Sequence, residues 1–314
     1  MATETDRLPV VAIVGPTATG KSKLAVELAL AIGGEVVSCD STAVYRGFDI
    51  GTDKPSIMDR RGVPHHLIDI VEPASGYSAA RYAVDASAVI ADIVERGGLP
   101  ILVGGSGLYY RALTRGFFPG PGRNEKLRAR LTMFASRRGV TALHRLVKRV
   151  DPDSAIRIQP RDEKRLIRAL EVYFLTGRPL TAHFANTRSP LSSYEVISFG
   201  LRLTPEETAK RVARRVDEQF DRGLLDEIRR ALRSGVPENA QPFGGLVYRQ
   251  GLECLHGVRN ESETRALIAQ ENRRYARRQL IWFRKEPNLH WLSLPGEHPD
   301  TLAAVLAELR PQLH

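Results

Sequence analysis

Cysteine is scarce in this chain: Cys39 and Cys254 are its only two among 314 residues. Two thiols cannot build a disulfide framework or a structural zinc site, so the fold must rest on its own core. Long apolar runs are missing too. Stretches such as residues 10–14 and 101–103 fall far short of the roughly 20 residues that span a bilayer. The amino terminus has neither the basic flank nor the long apolar stretch of a signal peptide, and the expectation is a cytosolic protein with no membrane association. With 42% apolar and 26% charged residues, the composition excludes a disordered or collagen-like chain. The length suits about two domains.

Lysine is also rare, 8 against 38 arginines, and the formal net charge is +10. That charge is unevenly spread. Residues 1–110 carry 9 basic and 13 acidic side chains, and residues 189–314 carry 19 and 17. Residues 111–188 carry 18 and only 6. A preference for arginine explains which base is used, but not why acids are short in one segment alone. A solvated helical surface and a polyanion-binding module both fit, and the clustering favours the module.

Hydrophobic periodicity organises the rest. Residues 8–14 read as a strand ending in a Gly-rich turn, and residues 23–32 as a helix with Leu24, Leu28 and Ile32 on one face. Further strands are expected at 35–38, 67–71 and 100–103, with a helix over 78–95 stopped by Gly97-Gly98. The motif Phe117-Phe118-Pro119-Gly120-Pro121-Gly122 marks a hinge. Everything over 125–176 looks helical. A strand over 195–203, helices over 205–220 and 264–283, and a short strand at 289–292 follow. Alternating strands and helices argue for an α/β fold with a parallel sheet. Into it is inserted a basic all-helical domain, with 1–114 and 195–314 forming the core and 115–194 the insertion.

Gly15-Pro16-Thr17-Ala18-Thr19-Gly20-Lys21-Ser22 fits the phosphate-loop pattern G-x-x-x-x-G-K-[ST], with a strand before it and a helix after it. Glycines let backbone N–H groups converge on phosphate oxygens, and the helix N-terminus adds positive potential. Lys21 supplies a point charge, and the Ser22 hydroxyl is suited to ligate Mg²⁺. The loop specifies a di- or triphosphate without specifying ATP hydrolysis. The strand over 100–103 runs into Gly104-Gly105-Ser106 with no carboxylate, whereas the strand over 35–38 leads to Asp40-Ser41. Asp40 at the carboxyl end of a core strand is a candidate base or metal-water orienter, or else a helix N-cap.

Together these motifs resemble the tRNA dimethylallyltransferases, also called tRNA isopentenyltransferases. The likeness covers nearly the whole chain. It runs through the phosphate loop, Asp40-Ser41, Val44-Tyr45-Arg46-Gly47, Asp49-Ile50-Gly51-Thr52-Asp53-Lys54-Pro55, Pro64-His65-His66-Leu67-Ile68-Asp69 and Val103-Gly104-Gly105-Ser106-Gly107-Leu108-Tyr109. Later pieces are Arg165-Leu166-Ile167-Arg168-Ala169-Leu170-Glu171-Val172 and Arg273-Arg274-Tyr275-Ala276-Arg277-Arg278-Gln279-Leu280. The resemblance implies a P-loop nucleoside-triphosphate-hydrolase-like core and Mg²⁺ dependence. The implied reaction is transfer of a dimethylallyl group from dimethylallyl diphosphate to N6 of adenosine 37, in tRNAs reading codons that begin with U. It also implies that the insertion clasps the anticodon stem-loop.

By resemblance, Asp40 is the general base, and Asp40, Ser41, Thr42 and Ala43 form a tRNA-contacting turn. Ser106 stands where the family usually has Thr and keeps the hydroxyl. Arg128, and the segment Lys164, Arg165, Leu166, Ile167 and Arg168, match tRNA contacts, and Arg211 resembles a diphosphate-contacting arginine. Val247 departs from the family's usual Gly before Tyr248-Arg249. An exocyclic adenine amine is a weak nucleophile, so Asp40 is expected to accept its proton. The loop, Lys21, Mg²⁺ and Arg211 are expected to stabilise the leaving diphosphate, with Thr17 and Ser106 orienting the reactants. Arg128→Ala is expected to lower the salt dependence of RNA binding. A P-loop small-molecule or nucleoside kinase is the alternative enzyme, and a noncatalytic RNA-binding module the third class. A monomer is the default. His65-His66 lack partners at ligand spacing and suit a structural or channel role.

Overall fold

The computed structural model describes residues 7–118, 120–184 and 187–310. Pro119, within the expected hinge, lies outside these described residues. The chain forms two compact units, one of Met1–Thr114 with Pro190–His314 and one of Arg115–Ser189.

The larger unit is built on six parallel strands in the order β3-β2-β4-β1-β5-β6. They are β1 (Leu8–Val14), β2 (Gly34–Ser38), β3 (His65–His66), β4 (Leu99–Gly104), β5 (Tyr194–Leu201) and β6 (Leu289–Leu292). Val10 to Val14 are wholly buried, as expected of a central strand covered on both faces. Helices α1 (Lys21–Ile32), α2 (Ile57–Arg60), α3 (Ala79–Glu95) and α4 (Gly107–Arg115) follow the first strands. Val11, Ile13, Leu24, Leu28, Ile101, Ile197 and Phe199 are packed in one core cluster.

The segment 67–71 does not continue the sheet as a strand. Leu67 (φ 60°) and Asp69 (φ 57°) take left-handed backbone, which breaks the extended run after two residues. The turn is held instead by Asp69 N–H to the Ala43 carbonyl and by the Lys54 ammonium on the Asp69 carboxylate. Lys54, 3% exposed at its side chain, also donates to Asp49 Oδ1 at 2.7 Å and to the Tyr45 carbonyl.

The smaller unit is helical: α5 (Glu125–Arg138), α6 (Val140–Val150), α7 (Pro152–Arg157), α8 (Glu163–Thr176) and α9 (Leu180–Phe184). The expected run over 125–176 is thus divided, at Gly139 with φ 80° and at the Asp151-Pro152 cap. Its core gathers Leu131, Leu143, Val147, Leu166, Ile167 and Leu170. Two carboxylates are buried with it. Asp151 accepts from Ser154 and Thr181, each through both N–H and hydroxyl. Glu171, without solvent exposure, accepts from Arg128, Arg168 and the Asn124 N–H.

The carboxyl-terminal part of the larger unit adds α10 (Pro205–Asp221), α11 (Leu224–Arg233), α12 (Leu246–Leu255), α13 (Glu261–Phe283) and α14 (Pro299–Leu309). Helix α13 starts three residues before the expected position because Asn260 and Glu263 form a capping box. Val247 lies buried in the first turn of α12, a helical position that a β-branched residue accepts.

Candidate active site

In a parallel sheet, ligands gather at the carboxyl ends of the strands. Here β1, β4 and β2 are neighbours, and their ends lead into the phosphate loop, Gly104-Gly105-Ser106 and Cys39-Asp40-Ser41. The three segments are stitched together. Cys39 N–H donates to the Val103 carbonyl at 2.7 Å, and Ser106 N–H to the Cys39 carbonyl at 3.2 Å. A Cβ on Gly104 would stand 2.0 Å from the Cys39 carbonyl oxygen, so only glycine permits this approach.

The phosphate loop leaves β1 at Gly15 (φ 136°), where a Cβ would meet the Leu201 carbonyl oxygen at 2.4 Å, and it enters α1 at Gly20. Between them Ala18 holds φ 64°, a left-handed conformation in a residue with a side chain. Gln279 of α13 spans the site: its Oε1 accepts from Thr17 N–H and its Nε2 donates to the Gly105 carbonyl, both at 2.9 Å. One buried amide therefore sets the loop against the end of β4. Thr19 Oγ1 and Lys21 Nζ both donate to the Pro16 carbonyl. Burial and the nearby Arg215 bring the Lys21 ammonium down to about 7, partly opposed by the Asp40 charge.

Asp40 Oδ1 accepts from the Thr42 N–H (2.8 Å) and hydroxyl (2.7 Å), the turn-closing role open to an aspartate at a strand end. Its Oδ2 has no hydrogen-bond partner among the described residues. Ser106 Oγ accepts from Ser41 N–H at 2.9 Å and donates to Ser41 Oγ at 3.2 Å, so the hydroxyl ties this turn to β4. Ala43 is buried and can present only its backbone. Behind Asp40, Tyr82 stacks on Tyr109 with centroids 4.3 Å apart. The Tyr109 hydroxyl is buried without a hydrogen-bond partner among the described residues. Burial pushes the Cys39 thiol up to about 12, which removes it as a nucleophile. His66 pairs with Glu35 and His65 with the Val63 carbonyl.

Several residues expected to contact substrate have protein partners or are buried. Arg211 is held by Glu207 (2.6 Å) and Glu297 (2.5 Å). The arginine that reaches the loop is Arg215, one turn further along α10, whose Nη1 donates to Thr17 Oγ1 at 2.8 Å. The sequence carries the signal for it: residues four apart share a helix face, whereas Arg214 is turned outward to Glu218. In the helical unit, Leu166 and Ile167 are core residues with buried side chains. Lys164 and Arg165 are exposed, while Arg128 and Arg168 hold Glu171.

Among the described residues no group of three His, Cys, Asp or Glu is placed to hold a metal. Ser22 is exposed in the first turn of α1, and one hydroxyl shared with phosphate oxygens and water is a donor set that Mg²⁺ accepts.

The site's likeness extends to whole proteins. The profile of the family described as IPP transferase matches residues 43–286. A tRNA dimethylallyltransferase of Geobacter metallireducens is 44% identical over 96% of this chain and 98% of its own, and one of Thermomicrobium roseum is 45% identical over 98% and 93%. Among solved structures, the tRNA isopentenylpyrophosphate transferase of Bacillus halodurans superposes with a TM-score of 0.72 at 37% identity, covering 98% of this chain and 97% of that one. A eukaryotic dimethylallyltransferase acting on tRNA gives 0.77 at 26% identity, covering 96% and 77%. The core expected to resemble P-loop enzymes is thus shared along nearly the full length, and the chain belongs to the IPP transferase family, the tRNA dimethylallyltransferases.

Proposed function

We propose that the chain transfers a dimethylallyl group from dimethylallyl diphosphate to N6 of adenosine 37, beside the anticodon of tRNAs reading UNN codons, releasing diphosphate. The observation that carries this is the junction of a phosphate loop with a half-satisfied aspartate. Asp40 Oδ2 has no hydrogen-bond partner among the described residues, and the Asp40 charge acts on Lys21 of the loop.

Dimethylallyl diphosphate would place its phosphates against the loop, where the α1 N-terminus, Lys21 and Arg215 oppose the charge that develops on the leaving group. Ser22 would hold Mg²⁺ together with phosphate oxygens and water, and the bound ion supplies further positive charge there. Asp40 accepts the N6 proton, with Oδ1 fixed by Thr42 so that Oδ2 is aimed. Ser106 holds the Asp40-Ser41 turn in place through Ser41. The adenine must leave its stack to enter, which costs less in a single-stranded loop than in a duplex. The exposed Lys164 and Arg165, with other basic side chains of the helical unit, bind the RNA backbone.

Incubation with dimethylallyl diphosphate, Mg²⁺ and unmodified tRNA should add one dimethylallyl mass to one adenosine. Asp40→Ala should cut turnover about 10²- to 10⁴-fold and leave tRNA affinity within a few-fold. Near wild-type turnover would remove Asp40 from the base role. ATP-dependent phosphorylation without prenyl transfer would favour a kinase.

A further inference from the structure

Asp53 lies outside the phosphate loop, yet its carboxylate is turned inward against α10. Gln219 Nε2 donates to Asp53 Oδ2 at 2.9 Å, and Arg215 Nη1 lies 3.3 Å from the same oxygen. That nitrogen of Arg215 is also the one that donates to Thr17 Oγ1. A single guanidinium N–H group thus bridges a carboxylate and the loop. Burial raises the pKa of Asp53, and Arg215 with Gln219 works against that rise, so each charge depends on the other.

The backbone that presents Asp53 is itself rigidly held. Glu227 of α11, 4% exposed, receives the N–H groups of Asp49 (2.9 Å), Ile50 (2.8 Å) and Gly51 (3.3 Å) as well as the Tyr248 hydroxyl (2.6 Å). Lys54 anchors the next residue to Asp49 and Asp69. Asp53 has φ 52°, a left-handed conformation that aspartate tolerates better than most residues with a side chain. A fixed carboxylate facing a flexible arginine is the arrangement by which one residue orients another.

We propose that Asp53 is a positioning residue for prenyl transfer, holding the Arg215 guanidinium against the phosphate loop before the donor's diphosphate arrives. The proposal rests on the reading of that loop as the diphosphate site. Without the Asp53 carboxylate, Arg215 keeps its charge but loses its fixed direction, and the donor must order it on binding.

The test is a double-substitution cycle on the full chain, read by calorimetric binding of inorganic diphosphate and by steady-state kinetics. Asp53→Asn should weaken diphosphate about 5- to 20-fold and raise KM for dimethylallyl diphosphate similarly, with KM for tRNA and Tm unchanged. In an Arg215→Gln background, Asp53→Asn should cost less than a further twofold. Unchanged diphosphate affinity in Asp53→Asn, or an equal loss in both backgrounds, overturns the proposal. Should Asp53→Asn fail to fold, Asp53→Glu with Arg215→Lys runs the same cycle: coupled losses support the role and additive ones overturn it. A wild-type protein that neither binds diphosphate nor transfers the prenyl group fails the underlying reading, and the proposal with it. The wild-type controls tell that failure apart.

Discussion

Glu171 shares its two oxygens among the Arg128 and Arg168 guanidinium groups and the Asn124 N–H, with no solvent contact. Burial by itself would raise its carboxyl, but those hydrogen bonds outweigh burial and hold it at about 2. The sign follows from that depression. The stabilisation is fully present above the ordinary glutamate range near 4.5 and is lost as pH falls toward 2. Glu171→Gln should therefore flatten the acid limb of the helical unit's stability, followed by circular dichroism between pH 5 and 2. A limb of wild-type steepness would exclude Glu171 as its source. Arg128→Ala removes one partner of a buried ion. With both arginines partly open to water, the expected loss is about 3 kcal/mol, seen as a lower denaturation midpoint. Arg128 thus has a structural partner beside the RNA contact expected of it. The family resemblance marks Arg128 as an RNA contact, but only the folded unit shows which bases a buried acid has engaged.

At the scale of elements, the loop over residues 49–54 joins the sheet to α10, α11 and α12. Gly51 sits where a Cβ would stand 2.6 Å from the Tyr248 ring. Gly51→Ala should push the loop off Tyr248 and Glu227, lower Tm and raise KM for the prenyl donor. An unchanged Tm and KM would mean that the loop can shift without cost. Most strands and the phosphate loop are visible in the sequence, because local periodicity and turn chemistry specify them, whereas the motif that contains this loop stands out only by the family resemblance. Its purpose was not visible. Asp49, Lys54 and Asp69 meet, and Asp53 meets Arg215, through contacts spanning up to about 160 residues of chain, which no local pattern reports. The strand expected at 67–71 does not form for a related reason: those residues have strand composition, but Lys54 and the left-handed turns at Leu67 and Asp69 override it.

Over the whole molecule, the charge asymmetry survives burial. Two of the six acids of segment 111–188, Asp151 and Glu171, are interior, and Glu171 engages Arg128 and Arg168, so the 16 remaining bases still exceed the 4 remaining acids by 12. Lys164→Ala and Arg165→Ala should each reduce the log–log salt slope of tRNA binding by up to about 1. Slopes equal to wild type would place the RNA backbone elsewhere. Among the described residues no helix is long and apolar enough to cross a membrane.

The buried thiol at the end of β2 has a practical consequence. Cys39 is enclosed and Cys254 is half-buried on α12, so a native chain should offer a maleimide at most one thiol and a denatured chain two. Labelling stoichiometry, counted by mass, then becomes an internal gauge of whether the segment joining β2 to Asp40 has opened. It would let any active-site variant be certified as folded without a spectroscopic probe being added.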